Sequence, residues 1–120
     1  MEKGYIQCSA PKGLTGNKIE LPKVSVGATE NIVMAASLAS GETEISNIAL
    51  EPEVIDLINC LNTMGAKIEL GDNRSVMIQG VKTLNGSIYS IIPDRIEAVT
   101  YIIAGAVSYT HLRAHETNVD

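Results

Sequence analysis

A strand, a short turn and an Ala-rich helix occur twice in this chain, about seventy residues apart, and repetition at that period marks a modular α/β array. The first copy runs through the strand KIEL (18–21), the turn Lys23-Val24-Ser25-Val26-Gly27 and a helix expected over Ala28 to Ser40. Ile32, Ala35, Ala36 and Ala39 would form its apolar stripe, flanked by Val33 and Met34, with Gly41 at C′. The second copy is a strand expected around Ile88 to Ile92, then Pro93-Asp94 and a helix from Arg95 to Ala106. Between them the spacing predicts a strand over 43–48 and a helix from Pro52 to Met64. That helix carries Val54, Leu57, Ile58, Leu61 and Met64 on one face. Pro52 suits its first position, Glu51 and Glu53 favour its dipole, and Gly65 closes it. AKIEL (66–70) and SVMIQ (75–79), joined by Gly71-Asp72-Asn73-Arg74, read as a hairpin. The order β-α-β-α-β-β, then β-α, defines an α/β (α+β) chain. One such unit and half of another cannot cover all their apolar faces, so further chain is expected around the Ala-rich helices.

With no Phe and no Trp, the core has to be built from Ile, Val, Leu, Ala and Met. The lack of aromatic platforms and a net charge of −5 argue against nucleic acid as a partner. Cys8 and Cys60 form neither a CxxC pair nor a metal-ligand spacing, and the start MEKGYIQC lacks the apolar core of a signal peptide. The longest apolar stretch, Ala98 to Val107, is far below the ~20 residues that span a bilayer. The expectation is a reduced cytoplasmic chain with no membrane partner and no cofactor.

Both histidines, His111 and His115, fall in the last ten residues. That stretch has no period, and VSYTHLRAHET resembles a sequencing adapter translated in one frame. Residues 107–120 are therefore expected to be a non-native tail, and 1–106 a partial domain broken in mid-element. The alternative is a metal pair at i, i+4. Without these histidines no Ser-His-Asp or Cys-His set can form, and a general base would have to be Asp, Glu or Lys.

Three clusters could carry chemistry. Lys23-Val24-Ser25-Val26-Gly27-Ala28-Thr29 joins a strand exit to a helix start, where free amides, the dipole and the small Gly27 and Ala28 suit a phosphate or diphosphate. It is not a P-loop, and Ser25 could simply cap the helix beside a solvated lysine. In Leu50-Glu51-Pro52-Glu53, ordinary placement of acids at a helix start accounts for both carboxylates. Alternatively, one of them faces a cleft and accepts from a sugar hydroxyl or positions an Arg. In Pro93-Asp94-Arg95-Ile96-Glu97, Asp94 is a natural cap. A cation such as Arg95 is unexpected there, and it could pair with Glu97, Glu51 or a ligand anion.

KVSVGATENIVMAASLASGETEI, NIALEPEVIDLINCLNTMGAKI and IPDRIEA, in that order, resemble the UDP-N-acetylglucosamine 1-carboxyvinyltransferase (UDP-GlcNAc enolpyruvyl transferase) family across residues 4–106. The resemblance implies an inside-out α/β barrel of βαβαββ units. It also implies transfer of an enolpyruvyl group from phosphoenolpyruvate to the 3-hydroxyl of UDP-GlcNAc, the first committed step of peptidoglycan precursor synthesis in the cytoplasm. By that resemblance Lys23, Val24, Ser25, Val26 and Gly27 hold the nucleotide part of the sugar substrate, and Glu51, Asp94, Arg95 and Glu97 line the cleft between domains. The family's cysteine-bearing loop would lie before Gly4 and its proton-abstracting acid after Val107. No catalytic residue is thus expected here, and the chain alone is expected to be inactive. Leu50 stands where some members have Arg.

Two other readings compete. One is the sister family, 5-enolpyruvylshikimate-3-phosphate synthase, against which the KVSVGATEN and EPEVID blocks argue. The other is a non-catalytic α/β interaction module, which predicts a steep two-state urea transition for residues 1–106, whereas a partial domain predicts marginal stability.

Overall fold

The computed structural model describes residues 4–108. The chain divides after Ser90 into two compact units. The first holds β1 (Lys18–Glu20), α1 (Val26–Ser37), β2 (Glu42–Ser46), α2 (Pro52–Thr63), β3 (Lys67–Leu70) and β4 (Ser75–Gln79). The second holds α3 (Arg95–Ser108). The elements of the first unit follow the βαβαββ order that the sequence predicts.

Its sheet has the order β1-β2-β4-β3. β1 pairs parallel with β2, and β4 pairs antiparallel with both β2 and β3. β1, β2 and β3 therefore run one way, and β4 is inserted in reverse between β2 and β3. The register sets Ile19 beside Ile45, Ile45 beside Val76, and Ile78 beside both Thr43 and Ile68. These side chains share one face, because alternate strand residues point the same way. Val33 and Ala36 of α1 and Val54, Ile58 and Leu61 of α2 join them in one aliphatic core. Burial of each large aliphatic side chain there contributes about 1.5–3 kcal/mol relative to exposure. The opposite face presents Lys18, Glu20, Lys67 and Glu69 to solvent.

α2 matches its sequence signals. Pro52 opens it, and a glycine-closed end finishes it: Gly65, at φ 104°, donates to the Asn62 carbonyl at 3.1 Å, and Ala66 donates to Leu61 at 3.0 Å. The hairpin of β3 and β4 also forms as expected.

α1 departs from expectation. It begins at Val26 and ends at Ser37, and its buried residues are Thr29, Val33, Ala36 and Ser37. Ala35 and Met34 face solvent. Hydroxyls can sit on the inner face because each finds a carbonyl one turn back: Thr29 Oγ1 donates to Ser25 at 2.6 Å and Ser37 Oγ to Val33 at 2.8 Å. Gly41 is not the helix C′ residue. Leu38 caps the helix, and Ser40 then pairs with the N-terminal arm, its amide donating to Leu14 and its carbonyl accepting from Gly16.

No strand forms over 88–92. The preceding chain is tied to helices rather than to a sheet edge. The Val81 amide donates to Ser37 at 2.9 Å, the Asn85 amide to Met64 at 2.8 Å, and Tyr89 Oη to Asp56 Oδ1 at 2.7 Å. At the start of this strap Gly80 donates to the Gly41 carbonyl, so close to the α1–β2 connection that a Cβ would fall on the Ala39 carbonyl oxygen.

α3 forms where the sequence predicts it and buries none of its residues. Ile96, Val99 and Ile103 are each more than half exposed. His111, His115 and the tail beyond Ser108 lie outside the described residues.

Candidate functional site

Parallel strands collect their exits at one end of a sheet, and open α/β sheets bind ligands outside those carboxyl ends. Here the exits of β1 and β2 are tied together. The Leu21 amide donates to the Ser46 carbonyl at 3.1 Å, and Asn47 Nδ2 donates to the Leu21 carbonyl at 2.9 Å. Asn47 takes a left-handed φ of 62° at this corner. Because β4 runs in reverse, Ser75 at its start lies opposite Ser46 at the end of β2. The hairpin turn 71–74 therefore joins the turn 22–25 and the loop 47–51 at the same end.

Lys23 and Val24 are exposed in the first of these connections. Ser25 caps α1 from an extended backbone, its Oγ accepting from the Ala28 amide at 3.2 Å and its carbonyl from the Thr29 amide at 3.0 Å. The capping role considered from sequence is thus real. It leaves the amides of Val26 and Gly27 without a protein partner among the described residues. Space is open beside Gly27, where an added Cβ meets nothing within 4 Å. α1 also carries no acid in its first turn, whereas α2 has Glu53 and α3 has Glu97. Positive potential from the helix start is therefore not cancelled locally, and Lys23 adds a full charge. Such an opening suits an oxyanion.

Glu51 is the residue before α2, but its side chain caps nothing. Its Oε2 is buried and has no hydrogen-bond partner among the described residues. Helix-start placement suits both acids through the dipole, and it leaves Glu51 Oε2 without a bond. Lys23–Gly27 and Glu51 thus occupy adjoining connections of one unit.

Asp94, Arg95 and Glu97 belong to the second unit, at the start of α3, and all three are exposed. Asp94 Oδ1 accepts from the amides of Ile96 at 3.0 Å and Glu97 at 3.3 Å, so its capping role stands.

Two residues to which sequence reading assigned no individual role also sit at the sheet end. Thr29, fully buried, accepts from the Ala49 amide at 3.0 Å while donating to Ser25. Arg74 accepts from the Ile48 amide at 3.0 Å through its carbonyl, and its Nη1 donates to the Ile48 carbonyl at 3.3 Å. A Thr four residues after a capping Ser is a readable back-bonding signal. Nothing in the hairpin turn composition singles out Arg74.

Comparison with known proteins matches this chain to a class of transferases that move enolpyruvyl groups. The chain belongs to the EPSP synthase (3-phosphoshikimate 1-carboxyvinyltransferase) family, whose model matches residues 1–120. Among curated relatives, the UDP-N-acetylglucosamine 1-carboxyvinyltransferase of Pelagibacter ubique is 52% identical over 111 residues, 92% of this chain and 27% of the relative. The enzyme of the same name from Shewanella woodyi is 54% identical over 113 residues, 94% of this chain and 27% of the relative. The chain thus spans about a quarter of the length of these relatives. Among solved structures, the EPSP synthase from Acinetobacter baumannii superposes with a TM-score of 0.52 at 20% identity, covering 66% of this chain and 19% of that one. That likeness is one of fold. No described helix is long and apolar enough to cross a membrane.

Proposed function

We propose that this chain is an internal segment of an enzyme that transfers the enolpyruvyl group of phosphoenolpyruvate to the 3-hydroxyl of UDP-GlcNAc. In that reaction the bond from the enol carbon to the phosphate oxygen breaks, a bond from that carbon to the sugar oxygen forms, and the hydroxyl's proton is lost as phosphate leaves, giving hydrogen phosphate overall. The product is a cytoplasmic precursor of peptidoglycan. This segment's share is binding: the diphosphate of the nucleotide sugar rests on the Val26 and Gly27 amides beside Lys23, with Val24 and Ser25 shaping the turn. Glu51 serves as an acceptor for the sugar, and Asp94, Arg95 and Glu97 belong to the cleft in the complete enzyme. The catalytic groups lie in the remainder of the chain, and residues 107–120 are a non-native tail.

The observation that carries this reading is the open pair of amides next to Lys23 at the carboxyl end of the sheet. The naming of relatives at 52% and 54% identity favours UDP-GlcNAc over shikimate 3-phosphate as the acceptor. Lys23→Ala in the complete enzyme tests it. Loss of a charge-assisted phosphate contact should weaken UDP-GlcNAc binding by about 1.5–3 kcal/mol, seen as a raised KM with a smaller change in kcat. An unchanged KM for UDP-GlcNAc removes Lys23 from the site.

A further inference from the structure

The three connections at the carboxyl end of the sheet are joined by one continuous run of hydrogen bonds. It starts at the hairpin turn, where Arg74 grips both backbone groups of Ile48 at 3.0 and 3.3 Å. The neighbouring Ala49 amide donates to Thr29 Oγ1 at 3.0 Å, and that hydroxyl donates to the Ser25 carbonyl at 2.6 Å. Ile48, Ala49 and Thr29 are all fully buried. A single hydroxyl therefore receives from the loop that carries Glu51 and gives to the turn that carries Lys23. Hydroxyl oxygens can do both at once, whereas a methyl group of the same size can do neither. Serine at position 29 would keep both bonds.

We propose that Thr29 is a positioning residue for the nucleotide sugar, fixing the turn 23–27 against the loop 47–51, and that Arg74 clamps the far side of that loop. This rests on the reading of Lys23–Gly27 as the diphosphate site. Neither residue needs to touch the ligand. When two groups must meet one ligand, a small shift between their loops takes one of them out of place.

The test is steady-state kinetics of the complete enzyme with Thr29→Val, Thr29→Ser, Arg74→Met and Lys23→Ala. Thr29→Val should raise the KM for UDP-GlcNAc about tenfold, while kcat and the KM for phosphoenolpyruvate stay within about twofold. Thr29→Ser should return the KM to within about twofold of wild type, because the hydroxyl is restored. Arg74→Met, on the more exposed end, should raise the same KM severalfold. A Thr29→Val enzyme with an unchanged KM overturns the proposal. So does a Thr29→Ser enzyme as impaired as Thr29→Val, or a loss spread equally over kcat and both KM values. If Thr29→Val does not fold, Arg74→Met decides: a selective rise in the UDP-GlcNAc KM supports the clamp, and an unchanged KM overturns it. Lys23→Ala separates the two ideas. A raised KM there with normal Thr29→Val kinetics sinks only the positioning role, and an unchanged KM sinks the site itself.

Discussion

The side chain of Asn62 makes a two-way hydrogen-bonded pair with the backbone of Ile68. Its Oδ1 accepts from the Ile68 amide at 3.0 Å, and its Nδ2 donates to the Ile68 carbonyl at 3.0 Å. Ile68 lies on β3, an outer strand of the sheet. An amide side chain thus stands where a neighbouring strand would pair, and it blunts an edge that could recruit another chain. Asn62→Leu should lose about 1–3 kcal/mol by stranding both groups and should raise the tendency to self-associate. Urea melting and size-exclusion chromatography measure the two effects. A variant that melts like wild type and stays the same size would show that water replaces the side chain at no cost.

Ser25 combines a structural and a proposed binding role, and two substitutions separate them. Ser25→Ala removes the acceptor for the Ala28 amide and should cost about 1 kcal/mol of stability. Ser25→Asp keeps a capping oxygen and adds negative charge where a diphosphate is proposed to bind. It should therefore hold the melting temperature and raise the KM for UDP-GlcNAc in the complete enzyme. Equal KM values for Ser25→Asp and wild type would place the ligand elsewhere.

Two glycines should respond to alanine in opposite ways. At Gly80 the new methyl collides with the Ala39 carbonyl, a backbone atom that cannot swing aside. Gly80→Ala should therefore cost roughly 1–3 kcal/mol or more. Gly27 is helical and has open space at its Cβ position, so alanine there should stabilise the chain by about 0.5–1 kcal/mol. The same methyl should weaken nucleotide-sugar binding. Thermal melts of both variants, with KM for Gly27→Ala, check the pair.

Tyr89 should make stability fall at alkaline pH. Its hydrogen bond to the Asp56 carboxylate, together with partial burial, raises its pKa above the usual 10.0. The folded state therefore favours the neutral phenol. That contribution is fully present below pH 10 and is lost as pH rises through the folded pKa. Stability should fall above pH 10 in wild type and fall less steeply in Tyr89→Phe. Denaturant midpoints of both between pH 8 and 11 give the comparison, and parallel curves would remove the phenol from the balance.

The parts of the fold legible in the sequence are those written in local chemistry. Pro52 and Gly65 bracket α2 because each suits only one end of a helix, and Ser25 and Asp94 mark helix starts through their side-chain oxygens. The hairpin follows from two alternating runs around a polar turn. What escaped depends on partners distant in sequence. Thr29 and Ser37 lie on the inner face of α1 outside the apolar stripe expected there, because carbonyls one turn back satisfy their hydroxyls. The run 88–92 has the composition of a strand, but Tyr89 is bound to α2 through Asp56 and no ladder forms there. That Lys23–Gly27 joins a strand exit to a capped helix start was readable from residue types. Thr29 and Arg74 as links between loops were not, because their partners Ala49 and Ile48 are defined only once the sheet has assembled.

The two amides at the start of α1 belong to the peptide backbone, and every residue type except proline supplies one. An inhibitor whose acidic group docked on Val26 and Gly27 would therefore hold atoms that single-codon changes rarely delete. Escape would have to come through bulk, and position 27, where the room is, is the place to watch for resistance.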